Sequence, residues 1–361
     1  MTLAEGRSQR LRDALAAESL DALIVTDPTN IQYATGFTGS NGTVVINSDQ
    51  LLLITDKRYD KWAVDEVTAH DPEVEIVIAP GSGRKELLAR VADVDRVGLE
   101  AGNVSWGTAA SFQTDLGVDR VVPTTGVVEA LREFKSADEI NKLRNAAEVG
   151  DAALGLLVPE LRPGLSEVDV ARRLSQLMFD HSGVVPSFDI IVATGVNSAK
   201  PHHHPSTQVI EKGDLLIIDS GATVDGYRSD MTRSFVFGAP TIQQQEMLDA
   251  VLVAQRAGVD AIEVGASTSN IDSACRESLA LAGLGEYFTH GTGHGVGLDI
   301  HEAPSVSSAS TATLAPGHVI TVEPGVYIPN VGGVRWEDTV VVTPTGGDAL
   351  TKSPKQPLIE L

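Results

Sequence analysis

Residues 215–236 read LLIIDSGATVDGYRSDMTRSFV, and the fold of the C-terminal half turns on this stretch. Two apolar runs flank Val224-Asp225-Gly226, and Asp-Gly between such runs predicts a tight β-hairpin. With Asp225 and Gly226 as the turn residues, Val224 pairs with Tyr227 and Asp219 with Thr232. Asp230 then falls on the face that Asp219 occupies, diagonally across at roughly 7–8 Å between backbones. Taken singly, each acid reads as a surface residue of an edge strand. Asp219, however, follows four consecutive apolar residues, the pattern of a strand buried on both faces.

The arrangement repeats further on. Val319 to Tyr327 and Val334 to Val342 flank a loop at 329–333, and pairing centred on Asn330 sets Glu323 opposite Glu337. Each hairpin therefore offers two acids from one face. Four carboxylates packed together without a cation repel strongly and are costly to bury. With His294 they make a set of five potential metal ligands: Asp219, Asp230, His294, Glu323 and Glu337. Two divalent ions would bring that set close to neutrality. Oxygen donors with one imidazole suit manganese, cobalt, zinc or iron.

Six of the nine histidines occupy two segments. His290-Gly291-Thr292-Gly293-His294-Gly295-Val296-Gly297 continues to His301-Glu302. It is not a zincin helix, which needs two histidines on one helical face around a glutamate. It is not a dinucleotide loop either, because the glycine spacing differs and no helix pattern follows. Alternating glycines suggest backbone held close to a ligand. The other segment, His202-His203-His204 between Pro201 and Pro205, cannot aim all three rings at one site, since side chains alternate in extended chain. The residues alone do not choose among the three.

At 361 residues the chain exceeds one typical core and suggests two domains. Residues 1–125 alternate helical patterns (7–20, 84–91, 108–116) with strand patterns (21–26, 43–47, 51–55, 74–79), an α/β layer domain. Ser136-Ala137-Asp138-Glu139 is a capping box opening a helix to about Leu157. Helices at 166–180, 242–263 and 269–282 mix with strands without steady βαβ alternation, so residues 126–361 read as α+β. The net charge of −22, spread over both halves, disfavours nucleic acid and anionic membrane as partners. The one cysteine, Cys275, excludes an internal disulfide and reads as a core residue of its helix. No signal peptide or spanning segment is expected, which points to a cytoplasmic protein.

The five ligands in this order resemble the pita-bread metallopeptidases, which include methionine aminopeptidase, aminopeptidase P and prolidase. Gly36-Phe37-Thr38-Gly39-Ser40-Asn41-Gly42 and Thr55-Asp56-Lys57-Arg58-Tyr59 look like the N-terminal domain of the proline-specific branch. Asn197-Ser198-Ala199-Lys200-Pro201-His202 is similar to that branch's substrate-side histidine segment and singles out His202. Arg335-Trp336-Glu337-Asp338 resembles the family's Arg-Ile-Glu-Asp, with Trp336 an unusual replacement. The resemblance implies a creatinase/prolidase-like α/β domain over 1–125 and an α+β pita-bread catalytic domain over 126–361. It implies two divalent ions, manganese first, with Asp219 on one, His294 and Glu323 on the other, and Asp230 and Glu337 bridging. The nucleophile would be a water shared between them. Glu323 would also shuttle the proton, His202, His290 and His301 would orient substrate, and Arg335 would anchor the bridging carboxylates. The substrate would be an Xaa-Pro dipeptide or a short proline-containing peptide, and the assembly a homodimer. A dipeptidase is favoured over an aminopeptidase acting on longer peptides. The rival from another class is a non-peptidase pita-bread protein, a binding module or creatinase-like hydrolase.

Overall fold

A computed structural model describes residues 3–360 of the chain. Met1 and Thr2, the start of the stretch read above for a signal peptide, lie outside the described residues. The chain divides into two units between Arg132 and Glu133.

The first unit is the expected α/β layer. One six-stranded sheet runs in the order β4-β3-β2-β1-β5-β6, with β1 Ala22–Val25, β2 Gly42–Asn47, β3 Leu51–Thr55, β4 Glu75–Ile78, β5 Val97–Glu100 and β6 Val121–Thr124. Helices α1 Leu3–Ala17, α2 Pro28–Thr35, α3 Asp60–His70, α4 Arg84–Arg90, α5 Trp106–Leu116 and α6 Glu129–Arg132 complete it. Strand β1 is buried at all four positions and pairs antiparallel with β2 but parallel with β5. The sequence pattern omits α2, α3, α6, β5 and β6. Strand β5, four residues long and buried at every position, carries no alternation to betray it, and β6 is equally short and includes Pro123.

In the second unit the capping box at Ser136 and Glu139 starts α7 Ala137–Leu157 with both reciprocal hydrogen bonds formed. Ser166 with Asp169 starts α8 Glu167–Ser182 in the same way. Both helices pack on β7 Ile191–Thr194, β8 Leu215–Ser220 and β11 Met231–Phe237 through a core that includes Leu154, Leu174, Met178, Val192, Leu216, Ile218 and Phe235. Opposite them, α9 Ile242–Asp260 and α10 Thr268–Leu281 cover a second core with Met247, Val251, Ile271, Cys275, Ile320, Val322 and Val340. Cys275 is buried there, as read from its helix pattern.

The first hairpin has the expected register: Tyr227 pairs with Val224 and Thr232 with Asp219. Asp225 and Gly226 both take positive φ, as the two-residue turn requires. The pairing is interrupted, so that β9 Thr223–Val224 and β10 Tyr227–Arg228 form a separate ribbon beyond Gly221. A Cβ on Gly221 would collide with the Ser229 carbonyl, so only glycine allows that crossing.

The second hairpin also keeps its register while splitting in two. Val322 pairs with Asp338 in the ladder of β14 Val319–Val322 and β17 Asp338–Thr343. Gly325 pairs with Arg335 in the ladder of β15 Gly325–Ile328 and β16 Gly332–Arg335. Glu323 and Glu337 face each other at the break between the two ladders. Strand β14 belongs to a five-stranded sheet with β12 Gly293–Gly295, β13 Glu302–Val306, β17 and β18 Gly346–Ala349, while β19 Leu358–Ile359 edges the β11 sheet.

Candidate metal centre

Alternation along the strands carries the acids inward. On β8, Leu216 and Ile218 face helices α7 and α8, whereas Ile217 contacts Ala193 and Tyr327 on the inner face. Asp219, two residues on, shares that inner face. On β14, Ile320 and Val322 enter the α9/α10 core, and Thr321 turns the other way to donate to Glu323 Oε1 at 3.3 Å. The inner faces enclose a cavity of about 410 Å³. It is lined by all nine residues singled out from the sequence: His202, Asp219, Asp230, His290, His294, His301, Glu323, Arg335 and Glu337.

Asp230, His294 and Glu337 present donor atoms all within 4.8 Å of one another. His294 Nε2 lies 3.6 Å from Asp230 Oδ2 and 3.4 Å from Glu323 Oε1. Its Nδ1 is 3.0 Å from the Gly295 carbonyl, which can only accept. The ring proton of the neutral histidine is therefore assigned to Nδ1, leaving Nε2 with a free lone pair. Burial depresses the His294 pKa to about 4, so this neutral form prevails. Asp219 stands outside the close trio and is reached through Arg335, whose Nη2 donates to Oδ2 at 2.7 Å.

The acids are a poor fit to one another without a cation. Burial, then the charges of Glu337, Asp219 and Glu323, push the Asp230 pKa far above the usual carboxylate range. Glu337 is driven far up for the same reasons, burial first, and Glu323 is pushed up to about 8, mainly by burial. Among the described residues lining the cavity, Arg335 is the only lysine or arginine. Asp219 Oδ1 is buried without a hydrogen-bond partner. Four carboxylates, one an open oxygen, and an imidazole lone pair make a donor set that fits hard divalent cations.

Surrounding side chains fix these donors. Thr232 Oγ1 donates to Glu337 Oε2 at 2.6 Å, and Arg335 Nε donates to that same hydroxyl at 2.9 Å. Arg335 Nη1 donates to the Tyr327 hydroxyl at 2.7 Å. His290 Nδ1 is 2.8 Å from the Gly291 carbonyl and its Nε2 is 2.9 Å from the Tyr327 hydroxyl. With Nδ1 the donor, Nε2 accepts from Tyr327. Burial, with the Arg335 charge adding to it, lowers the His290 pKa to about 4 and keeps the ring neutral. The His301 ring stands edge-on to His294, centroids 4.3 Å apart.

Tyr327 is the residue that the sequence reading missed. Glu323, Gly325 and Tyr327 alternate onto one face, and Gly325 leaves room for the phenol to fold back. Period-2 counting from Glu323 would have found it.

The histidine tract is also sorted by its surroundings. His202 lines the cavity, His204 is exposed, and His203 Nε2 is 2.8 Å from Oε2 of the fully buried Glu167. Glu167 additionally accepts from the Thr194 N–H, Asn197 Nδ2 and Ser206, pinning this loop to the start of α8.

The glycines around His294 are required by crowding as well. Cβ atoms on Gly293 and Gly295 would strike the carbonyls of Thr321 and Ala303, and one on Gly297 would strike the Glu302 carboxylate. Close packing against neighbouring strands demands them, and Gly291 and Gly293 also line the cavity, as expected of backbone held near a ligand. Trp336 points away from the cavity, fully buried among α9 side chains, with its indole N–H donating to Leu248 O at 3.2 Å.

Comparison with known proteins agrees with this architecture. Residues 141–344 match metallopeptidase family M24 and residues 7–134 match the creatinase/prolidase N-terminal domain. The Xaa-Pro dipeptidase of Pyrococcus furiosus is 34% identical, covering 97% of this chain and 99% of that relative. The solved Xaa-Pro dipeptidase from Bacillus anthracis superposes with a TM-score of 0.95 at 38% identity, covering 99% of this chain and 100% of that one. The X-Pro aminopeptidase from Thermotoga maritima superposes with a TM-score of 0.89 at 32% identity, covering 98% and 100%. This chain belongs to metallopeptidase family M24, a pita-bread catalytic domain preceded by a creatinase/prolidase N-terminal domain.

Proposed function

We propose that the chain is a metal-dependent Xaa-Pro dipeptidase, cutting between an N-terminal residue and the proline that follows. The observation carrying this reading is the convergence of four acids and an unprotonated His294 Nε2 in one cavity of an M24 chain. In this reading Asp219, Asp230, His294, Glu323 and Glu337 would hold the divalent ions, two by resemblance to the family. Manganese is the first candidate, and cobalt, zinc or iron suit the same donors. When bound, the ions supply a Lewis acid for the scissile carbonyl and acidify a water molecule.

The chain's own residues do the remaining work. As a water oxygen bonds to the scissile carbonyl carbon, the Glu323 carboxylate takes up the water's proton and delivers it to the proline nitrogen as the C–N bond breaks. That nitrogen is a tertiary amide without an N–H, so the pocket needs no acceptor for it. His202 and His301, on the cavity wall, bind and orient the substrate. His290, with both ring nitrogens engaged, acts by holding Tyr327 and through it Arg335. Phe188, Ile191 and Ile300 supply an apolar wall that excludes water. Resemblance to the family supports a homodimer, which light scattering on the purified protein tests, and the lone Cys275 fits a reducing compartment such as the cytoplasm.

A second reading, an Xaa-Pro aminopeptidase acting on longer peptides, is favoured by one observation. The only guanidinium lining the cavity among the described residues, Arg335, is committed to Asp219, Tyr327 and Thr232. A free dipeptide brings a C-terminal carboxylate that a longer peptide lacks at that place. Turnover of Xaa-Pro dipeptides against Xaa-Pro-Yaa tripeptides by the Mn²⁺-loaded protein decides between the two. Dipeptide cleavage alone is expected, and efficient tripeptide cleavage would overturn the dipeptidase reading.

A further inference from the structure

We infer that the C-terminal segment Thr351–Lys355 is a positioning strap for the metal centre, acting on Glu337 through Asp338. Asp338 follows Glu337 directly and is 4% exposed. Four side chains donate to its carboxylate. Arg233 Nη2 and Thr351 Oγ1 reach Oδ1 at 2.9 and 3.0 Å, Gln255 Nε2 reaches Oδ2 at 3.0 Å, and Lys355 Nζ also bonds Oδ2. Arg233 simultaneously donates through Nη1 to the carbonyls of Thr232 and Glu337. One buried guanidinium thus grips the backbone of Glu337 and the acid beside it.

The strap is itself anchored at both faces. Ser353 O accepts from Arg233 Nε at 2.9 Å, and the N–H groups of Lys352 and Ser353 each donate to Asp151 of α7 at 2.7 Å. It lies beyond residue 344, where the match to the catalytic family ends.

Charge explains why the strap matters. An uncompensated Asp338 would add a negative charge one residue from Glu337, beside a cavity that already holds four carboxylates. Arg233 and Lys355 reverse that local charge. Lys355 does not line the cavity, so its influence passes through Asp338. Residues that orient metal ligands in this way change affinity by roughly 10–100-fold when removed.

The inference rests on Glu337 as a metal ligand, and Mn²⁺ affinity measured on the chelator-stripped full chain by calorimetry tests it. Lys355→Met is expected to weaken binding about tenfold and Lys355→Arg to restore most of the loss. Lys352→Met is the control and should bind as the wild type does, because its side chain is 60% exposed and its ion pair is with Asp348, at 3.5 Å, and not with Asp338. Unchanged affinity in folded Lys355→Met overturns the strap. If that variant fails to fold, Thr351→Val, which removes a different donor to Asp338, takes its place with the same expected weakening, and unchanged affinity there overturns the strap. A wild type that takes up no Mn²⁺ overturns the ligand set, and the strap with it.

Discussion

Arg335 Nη2 donates to Asp219 Oδ2 at 2.7 Å, while the other oxygen, Oδ1, is buried beside it with no hydrogen-bond partner. One carboxylate is thereby aimed, with its second oxygen left as a donor toward the cavity. Burial disfavours the Arg335 charge, but Tyr327 and the carboxylates of Asp219, Glu323 and Glu337 outweigh it and hold the guanidinium protonated. A lysine cannot reach Asp219, Tyr327 and Thr232 from one planar fork. Arg335→Lys should therefore lower kcat/KM by about 10–100-fold with the fold intact. Wild-type kinetics in that variant would show that Asp219 needs no such aiming.

Asp230 and Cys275 make a paired test of chemistry against packing. Asp230 lies within 4.8 Å of His294 and Glu337 donors, so Asp230→Ala should abolish both ion uptake and activity. Cys275 sits in the α9/α10 core with its thiol pushed up to about 12 by burial, far from a reactive thiolate. Its S–H donates to Ala254 O at 3.3 Å. Cys275→Ala should cost about 1 kcal/mol of stability and leave kcat nearly unchanged. Equal loss of activity in both variants would contradict the assignment.

Ion removal should be visible in stability as well as in catalysis. The acids destabilise one another when no cation is present, so chelation should lower the melting temperature. Restored Mn²⁺ at a hundred times its Kd stabilises by about 2.7 kcal/mol for each independent site. Asp230→Asn replaces an acid whose ionised form the metal-free site disfavours with a neutral amide, so its metal-free form should melt above metal-free wild type while gaining little from Mn²⁺. Calorimetry with and without chelator reads both effects; identical melting in all four conditions would refute the electrostatic account.

The hairpin registers were legible because Asp225-Gly226 and Asn330 dictate where each chain turns, and register then follows by counting. That counting brought Asp219 near Asp230 and Glu323 opposite Glu337. The breaks in the ladders were less visible, although Pro324 has no N–H with which to continue one. His202 was singled out over His203 by resemblance alone; the physical reason lies in Glu167, thirty-six positions upstream of His203 and adjacent only after folding. The second reason for the glycines around His294 was hidden in a related way. Their crowding comes from β13 and β14, and no local pattern announces which strand will lie alongside.

His318 predicts an acid-sensitive step away from the metal ligands. Its Nδ1 accepts from the Ala315 N–H at 3.2 Å, which leaves the proton on Nε2. Nε2 is buried, and Glu133 Oε2 at 3.8 Å is too far to bond it. Phe134 packs on the ring, and Lys135, held by Glu302, repels a second positive charge. Burial first, then Lys135, lowers the pKa from 6.5 to about 4. The unfolded chain therefore binds a proton that the native chain refuses between these values. The stabilising effect is complete above pH 6.5 and is lost as pH falls toward 4, a change of about 1–3 kcal/mol. His318→Asn keeps an acceptor near the Ala315 N–H without a titrating ring. Urea midpoints measured on metal-free protein across this window should fall less steeply in the variant, and parallel curves would rule out His318 as the group responsible.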